Sequence, residues 1–143
     1  MTIHRLFSKD PNDEEENVTQ NIYVFRFILF CIIVYSFEML LNSVDIFIVD
    51  KTIFTRGYVT GCLFAAVYVL ILLHLGLEHP LTKYVSITAV SLIIMAASVS
   101  LTYHMIIIIM MPIIIAGMYT SKQLSIYTFV LTVLSIIIST YAG

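Results

Sequence analysis

Charged residues are scarce in this 143-residue chain: only 11% of its residues are charged, whereas 60% are hydrophobic. A soluble domain carries about 25% charged residues. A chain this short has too little interior to keep so much apolar surface away from water. The scarcity of charge therefore excludes a water-soluble domain, and the solvent around most of the chain is expected to be lipid.

Features that mark several other classes of protein are missing as well. The net charge is −2 and the basic residues are scattered, so no nucleic-acid partner is expected. The first 20 residues lack the apolar stretch and the cleavage site of a signal peptide. Cys31 and Cys62 both lie in apolar runs, where cysteine behaves as a small hydrophobe. They indicate neither a disulfide nor a compartment.

The sequence also lacks the motifs of enzymes and of metal sites. No nucleophile accompanies a base, no Gly-rich loop is suited to phosphate, and no pair of acids has a fixed spacing. The histidines show no metal-ligand spacing; they are His4, His74, His79 and His104. The sequence therefore predicts no enzymatic activity, no cofactor and no metal site.

Five apolar segments follow a polar, acidic tail at residues 1–20. Asp10 followed by Pro11 is typical of a helix start within this tail. A helix needs about 20 residues to cross about 30 Å of hydrocarbon. The segments cover residues 22–48, 58–77, 84–102, 104–119 and 124–142. They predict an all-α fold, a polytopic transmembrane helix bundle of five spans within residues 21–143.

The fourth segment is short and is interrupted by Pro112. As one helix, residues 84–119 would extend about 54 Å, which exceeds the thickness of one bilayer. Two spans are therefore expected, with a turn near His104. The alternative is four spans with a re-entrant fourth segment, which requires that protein cover its backbone.

Lysine and arginine predict the orientation of the chain, because they are enriched in cytoplasmic loops. With a cytoplasmic N-terminus, the inner side holds Arg5, Lys9, Arg26, Lys83 and Lys122, and the outer side holds Lys51 and Arg56. Five basic residues against two predict a multi-pass protein of the cell membrane, with residues 1–20 as a cytoplasmic tail.

One face of the first segment carries a line of polar side chains. Steps of three and four residues keep them on one helix face; they are Cys31, Tyr35, Glu38, Asn42 and Asp45. Glu38 is the costly member, because a carboxylate at the centre of a bilayer costs at least about 2.5 kcal/mol. Glu38 is either part of a ligand, proton or metal site or an interfacial group that reaches water.

The predicted ligand-binding site combines this face with a histidine from the fourth segment. With a cytoplasmic N-terminus, His104 lies at the same outer level as Glu38, Asn42 and Asp45. A protonated His104 beside a charged Glu38 would form a pH or cation sensor at the outer face.

Small residues at four-residue spacing predict a packing face on the second segment. Gly57, Gly61 and Ala65 allow another helix backbone to approach closely, within the same chain or in a homo-oligomer. Hydroxyl-bearing faces on the third and fifth segments also favour packing. The face on the third segment is Thr88, Ser91, Met95, Ser98 and Thr102, and the face on the fifth is Ser121, Ser125, Thr128, Thr132, Ser135 and Ser139.

Residues 84–142 carry several features in a characteristic order. A short span has Pro112 in its middle and ends at Tyr119; a small basic turn at Lys122 then leads into a helix that starts with Leu124 and Tyr127. This stretch resembles the multi-span N-terminal membrane modules of GGDEF-type diguanylate cyclases and of sensor histidine kinases.

The resemblance implies a sensory or regulatory membrane module that lacks its output domain, so it implies no catalytic residues here. The other functions to weigh are a small transporter or channel subunit that uses the Glu38 face, and a purely structural membrane protein. The lipid bilayer is the expected partner in all three cases.

Overall fold

The computed structural model of the protein describes residues 11–46, 49–101, 110–119 and 121–142. In these ranges the regular structure is entirely helical. The helices are α1 (Pro11–Ser43), α2 (Lys51–Leu75), α3 (Thr82–Leu101), α4 (Met111–Gly117) and α5 (Lys122–Ala142). The expectation of an all-α bundle is confirmed for this part of the chain.

Four of the described helices are long and apolar enough to cross a membrane. Their candidate spans are Asn17–Ser43, Lys51–Leu75, Thr82–Val99 and Lys122–Tyr141. They correspond to the first, second, third and fifth predicted segments, and they are the helices expected of a multi-pass membrane protein.

The fourth predicted segment contains a much shorter helix. α4 has seven residues, which is about 10 Å of helix and too little to cross a bilayer by itself. Pro112 stands in the first turn of α4, where its missing N–H costs no helical hydrogen bond. Residues 104–109 of the segment, including His104 at the predicted turn, lie outside the described residues.

The ends of α1 and α2 depart from their predicted limits for local reasons. α1 begins at Pro11 and continues without a break into the first span. It ends at Ser43, five residues before the predicted limit, because Asp45 adopts a left-handed φ of 60°. α2 begins at Lys51 because the Asp50 side chain caps it, accepting hydrogen bonds from the N–H groups of Thr52 and Ile53.

Several helix ends meet at what we call the Asn21 end of the bundle, defined by Asn21, Leu77 and Tyr119. Asn21 is near the start of the first span, Leu77 follows α2, and Tyr119 follows α4. α3 begins beside them, since the Thr82 hydroxyl donates a hydrogen bond to the Gly76 carbonyl at 2.7 Å. The opposite end, which holds Asp45 and Asp50, is called the Asp45 end.

α3 and α5 run side by side in the same direction. The rings of Tyr84 and Tyr127 lie 5.5 Å apart, and the hydroxyls of Thr88 and Tyr127 are 2.7 Å apart. These contacts join the first two turns of each helix. Further along α5, Ile136 packs against the core cluster that contains Ile87, Val90 and Ile93 of α3.

The core is centred on α3. In its apolar stretch 56% of the residues are buried, compared with 17% in α1, 17% in α2 and 22% in α5. Ile87, Val90 and Ile93 of α3 form a buried cluster with Val24 of α1 and Leu124 of α5. The other three long helices therefore surround α3 and turn broad apolar faces outward, as helices in lipid do.

Candidate functional site

The polar face of α1 is turned toward the bundle at two of its positions. Tyr35 and Asn42 are both buried, with 4% and 2% of their surfaces exposed. Glu38, between them on the same face, is half-buried. Asp45 is exposed and lies beyond the end of α1. The helix therefore presents Tyr35, Glu38 and Asn42 along one line, as the three- and four-residue spacing predicts.

α2 surrounds the ring of Tyr35 with aromatic edges and a glycine. The ring centroid lies 5.3 Å from that of Phe54 and 5.4 Å from that of Tyr58, both in edge-on arrangements. A Cβ added to Gly61 would stand 3.4 Å from Cε1 of Tyr35. A side chain larger than alanine at position 61 would therefore compete with the Tyr35 ring for the same space.

A hydroxyl pair adds a polar contact between α1 and α2 one residue further on. The hydroxyls of Ser36 and Tyr58 are 2.9 Å apart. Ser36 already donates its proton to the Ile32 carbonyl, so Tyr58 is the donor between them. The phenol of Tyr58 is thereby fixed beside the α1 face that carries Glu38.

The carboxylate of Glu38 is partly removed from solvent. Within the described ranges it makes no hydrogen bond and no ion pair. It lies inside the candidate span Asn17–Ser43, five residues before the end of the helix. A carboxylate at that depth is a charge for which some polar partner is expected.

Asp45 does not join Glu38 and Asn42. Its carboxylate forms an ion pair with Lys51 at 2.7 Å, at the start of α2, and both side chains are largely exposed. The helix has already ended at Ser43, so the regular spacing no longer controls the direction of Asp45. His104, the fourth residue of the predicted site, lies outside the described residues.

Gly57 and Ala65 of the predicted packing face are half-buried, and Gly61 is buried. Gly61 faces Tyr35 of α1, and Ala65 packs against the core cluster. This face of α2 is therefore turned toward the rest of the chain at Gly61 and Ala65.

A second polar cluster, at the Asn21 end, was not anticipated from the sequence. The Tyr119 hydroxyl donates to the Asn21 side-chain oxygen at 2.8 Å, and the Asn21 amide nitrogen donates to the Leu77 carbonyl at 2.8 Å. The Gln20 side chain donates to the carbonyl of Met118. One turn of α1 thus ties together the chain segments that follow α2 and α4.

The same end contains a fully buried hydroxyl pair between α2 and α3. The hydroxyls of Tyr68 and Ser86 are 3.0 Å apart, and the two residues are 1% and 0% exposed. The sequence held a signal for Asn21, because the α1 face that carries the polar line continues backward through the apolar Ile28 and Val24 to Asn21 at the same spacing.

The hydroxyl faces of α3 and α5 are both turned into the interior. Ser91, Ser98, Thr128, Thr132 and Ser135 are all buried. Most of these hydroxyls bond to a carbonyl one turn earlier in their own helix, but those of Ser91 and Thr132 have no partner in the described part of the chain. None of these five side chains carries a charge, so the interface is mainly a packing surface.

The described ranges contain no group of three or more His, Cys, Asp or Glu side chains that could hold a metal ion. Among the described residues, the Glu38 site comprises Tyr35, Glu38 and Asn42, which is a single carboxylate on the same helix face as a tyrosine and an asparagine. The chain matches no known protein-family model, no curated protein and no solved structure.

Proposed function

We propose that this chain is a non-enzymatic, multi-pass protein of the cell membrane that acts as a sensory or regulatory module, with Glu38 as its input group. The observation that carries the proposal is the half-buried Glu38 carboxylate, which is unpaired within the described ranges and lies in an apolar span. Ionisable groups in spans are costly and are usually functional.

The surroundings of Glu38 support a role in which its charge controls helix packing. Tyr35, one turn away, packs against Phe54 and Tyr58, and Ser36 bonds to Tyr58. Binding of a small cation to the carboxylate would remove an unfavourable buried charge and so favour a closer approach of α1 and α2. The resemblance of residues 84–142 to the input modules of signalling proteins supports the same role.

We further propose five crossings with a cytoplasmic N-terminus. The support is that α3 and α5 begin at the same end of the bundle, as expected when an even number of crossings separates the start of α3 from the start of α5. The excess of lysine and arginine on the side of the N-terminus supports the orientation.

The test uses the absence of tryptophan from the sequence. Tyr58→Trp places a single fluorophore against Tyr35, where it reports the packing of α1 on α2. In proteoliposomes, we expect sodium, potassium, calcium or magnesium to change this fluorescence saturably, and Glu38→Gln to abolish the change. Glu78→Gln, which removes an exposed acid outside the spans, is the matched control and should leave the change intact.

Two results would oppose the proposal. If none of these cations changes the fluorescence, or if the Glu38→Gln variant responds to them as strongly as the protein with Glu38, then Glu38 has no sensory role. Cation flux through the proteoliposomes that depends on Glu38 would instead favour the transporter or channel subunit.

A further inference from the structure

The first three turns of α2 form an open, shallow groove at the Asp45 end, lined by basic and hydroxyl-bearing residues and by Val59, and distinct from the Glu38 site. Lys51, Thr52, Thr55, Arg56, Val59 and Thr60 line it, and its volume is about 690 Å³. We propose that this groove binds the phosphate-bearing head group of an anionic phospholipid, with Arg56 as the principal ligand. The inference does not depend on the proposed role of Glu38.

The donors in the groove suit a phosphate. In the described part of the chain the Arg56 guanidinium makes no ion pair and no hydrogen bond, and the Thr52 hydroxyl has no partner. The planar fork of a guanidinium matches two phosphate oxygens at once. The hydroxyls of Thr55 and Thr60 already donate to carbonyls of their own helix, so they supply no proton to a ligand.

The charges beside Arg56 limit what the other groups contribute. Lys51 adds a second positive charge, but it is paired with Asp45 at 2.7 Å. The Asp50 carboxylate occupies the N–H groups of Thr52 and Ile53, so the start of the helix is not itself available to an anion. Binding therefore depends on side chains, and Arg56 carries most of it.

The face of α2 below the groove favours a lipid over a free phosphate. Val59 belongs to the groove, and Leu63, Val67 and Leu70 continue the same face at helical spacing with large exposed fractions. The face is thus polar and cationic for three turns and apolar beyond them. That order matches a phospholipid, whose head group lies above its acyl chains, and a free phosphate would not use the apolar part.

The experiment is native mass spectrometry of the full chain in detergent, with phosphatidylglycerol or with phosphatidylcholine of the same acyl chains. We expect one phosphatidylglycerol to be retained in preference to phosphatidylcholine. Arg56→Gln should weaken its retention about tenfold, the loss expected for a hydrogen bond to a charged group. Arg26→Gln removes an exposed cation from α1 and is the matched control, with no change expected.

Several outcomes would overturn the inference. Equal losses in Arg56→Gln and Arg26→Gln would mean unspecific attraction of anionic lipid, and equal retention of phosphatidylcholine would exclude recognition of the head-group charge. Displacement by millimolar inorganic phosphate would assign the groove to the free ion. If Arg56→Gln does not fold, Arg56→Lys decides: weaker retention supports the guanidinium fork, and unchanged retention contradicts it. All variants keep Glu38, so failure here leaves the proposed function untouched.

Discussion

The ring of Tyr35 on α1 lies where a side chain on Gly61 of α2 would begin, with Cε1 only 3.4 Å from the position of an added Cβ. That distance is an ordinary contact for one methyl group and leaves no room for a longer side chain. Gly61 therefore sets how closely α1 and α2 approach, as the small-residue spacing on α2 suggests.

Gly61→Leu should destabilise the bundle, and Gly61→Ala should not. A leucine must displace the Tyr35 ring, and overpacking of this kind costs about 1–3 kcal/mol. Thermal unfolding in detergent measures the difference. Ala66→Leu, on the exposed side of the same helix, is the control and should be tolerated. Equal stability of Gly61→Leu and Ala66→Leu would show that Tyr35 does not depend on a glycine at position 61.

Tyr119→Phe should destabilise the Asn21 end. The substitution removes the hydroxyl that donates to Asn21 and leaves a buried amide oxygen without this partner, a loss of about 1–3 kcal/mol. Tyr141→Phe, at an 89% exposed position, is the control. In a double-mutant cycle, Tyr119→Phe should cost much less when Asn21 is already leucine. Additive effects would mean that the two side chains do not interact.

The spans could be predicted because hydrophobic length is a local property of the sequence. The predicted start of α2 lies seven residues too late, since Lys51–Gly57 is polar enough to resemble a loop, and only the Asp50 cap shows that the helix includes it. The predicted first segment extends past Ser43 because hydropathy measures only how apolar the residues are. It contains no information on the left-handed backbone conformation of Asp45, through which a helix cannot continue.

The candidate site could be predicted only along a single helix. The spacing of Tyr35, Glu38 and Asn42 identifies one face of α1, but it does not determine which groups on other helices oppose that face. The Asn21–Tyr119 hydrogen bond joins residues 98 positions apart. No periodicity within one segment predicts such a pair, because it depends on how α4 packs against the start of the first span.

Asp45→Asn should leave stability almost unchanged, whereas Asp45→Val should lower it by about 1–2 kcal/mol. Asp45 has a φ of 60°, and asparagine tolerates this left-handed conformation while a β-branched residue does not. Lys51→Gln removes the ion pair with Asp45 and keeps the backbone of Asp45 unchanged, so it measures the ion pair alone. Because both side chains are exposed, the loss of this ion pair should lower the stability by less than about 1 kcal/mol. Chemical denaturation in mixed micelles measures all three. A valine variant as stable as the asparagine variant would contradict the backbone explanation.

Cysteine labelling from outside the cell distinguishes the two topologies. In a background without Cys31 and Cys62, single cysteines replace Ile53, Lys122 and Tyr141, which are all exposed. Five crossings with a cytoplasmic N-terminus predict labelling at 53 and 141 and none at 122. With four crossings and a re-entrant fourth segment, the start of α5 would lie outside, so 53 and 122 would be labelled and 141 would not.

Labelling at 122 alone would mean that the N-terminus is outside. Permeabilised cells provide the control, because every position that reaches water on either side should then react. We expect the first pattern, because α3 and α5 begin at the same end of the bundle and because five of seven basic residues then lie in the cytoplasm.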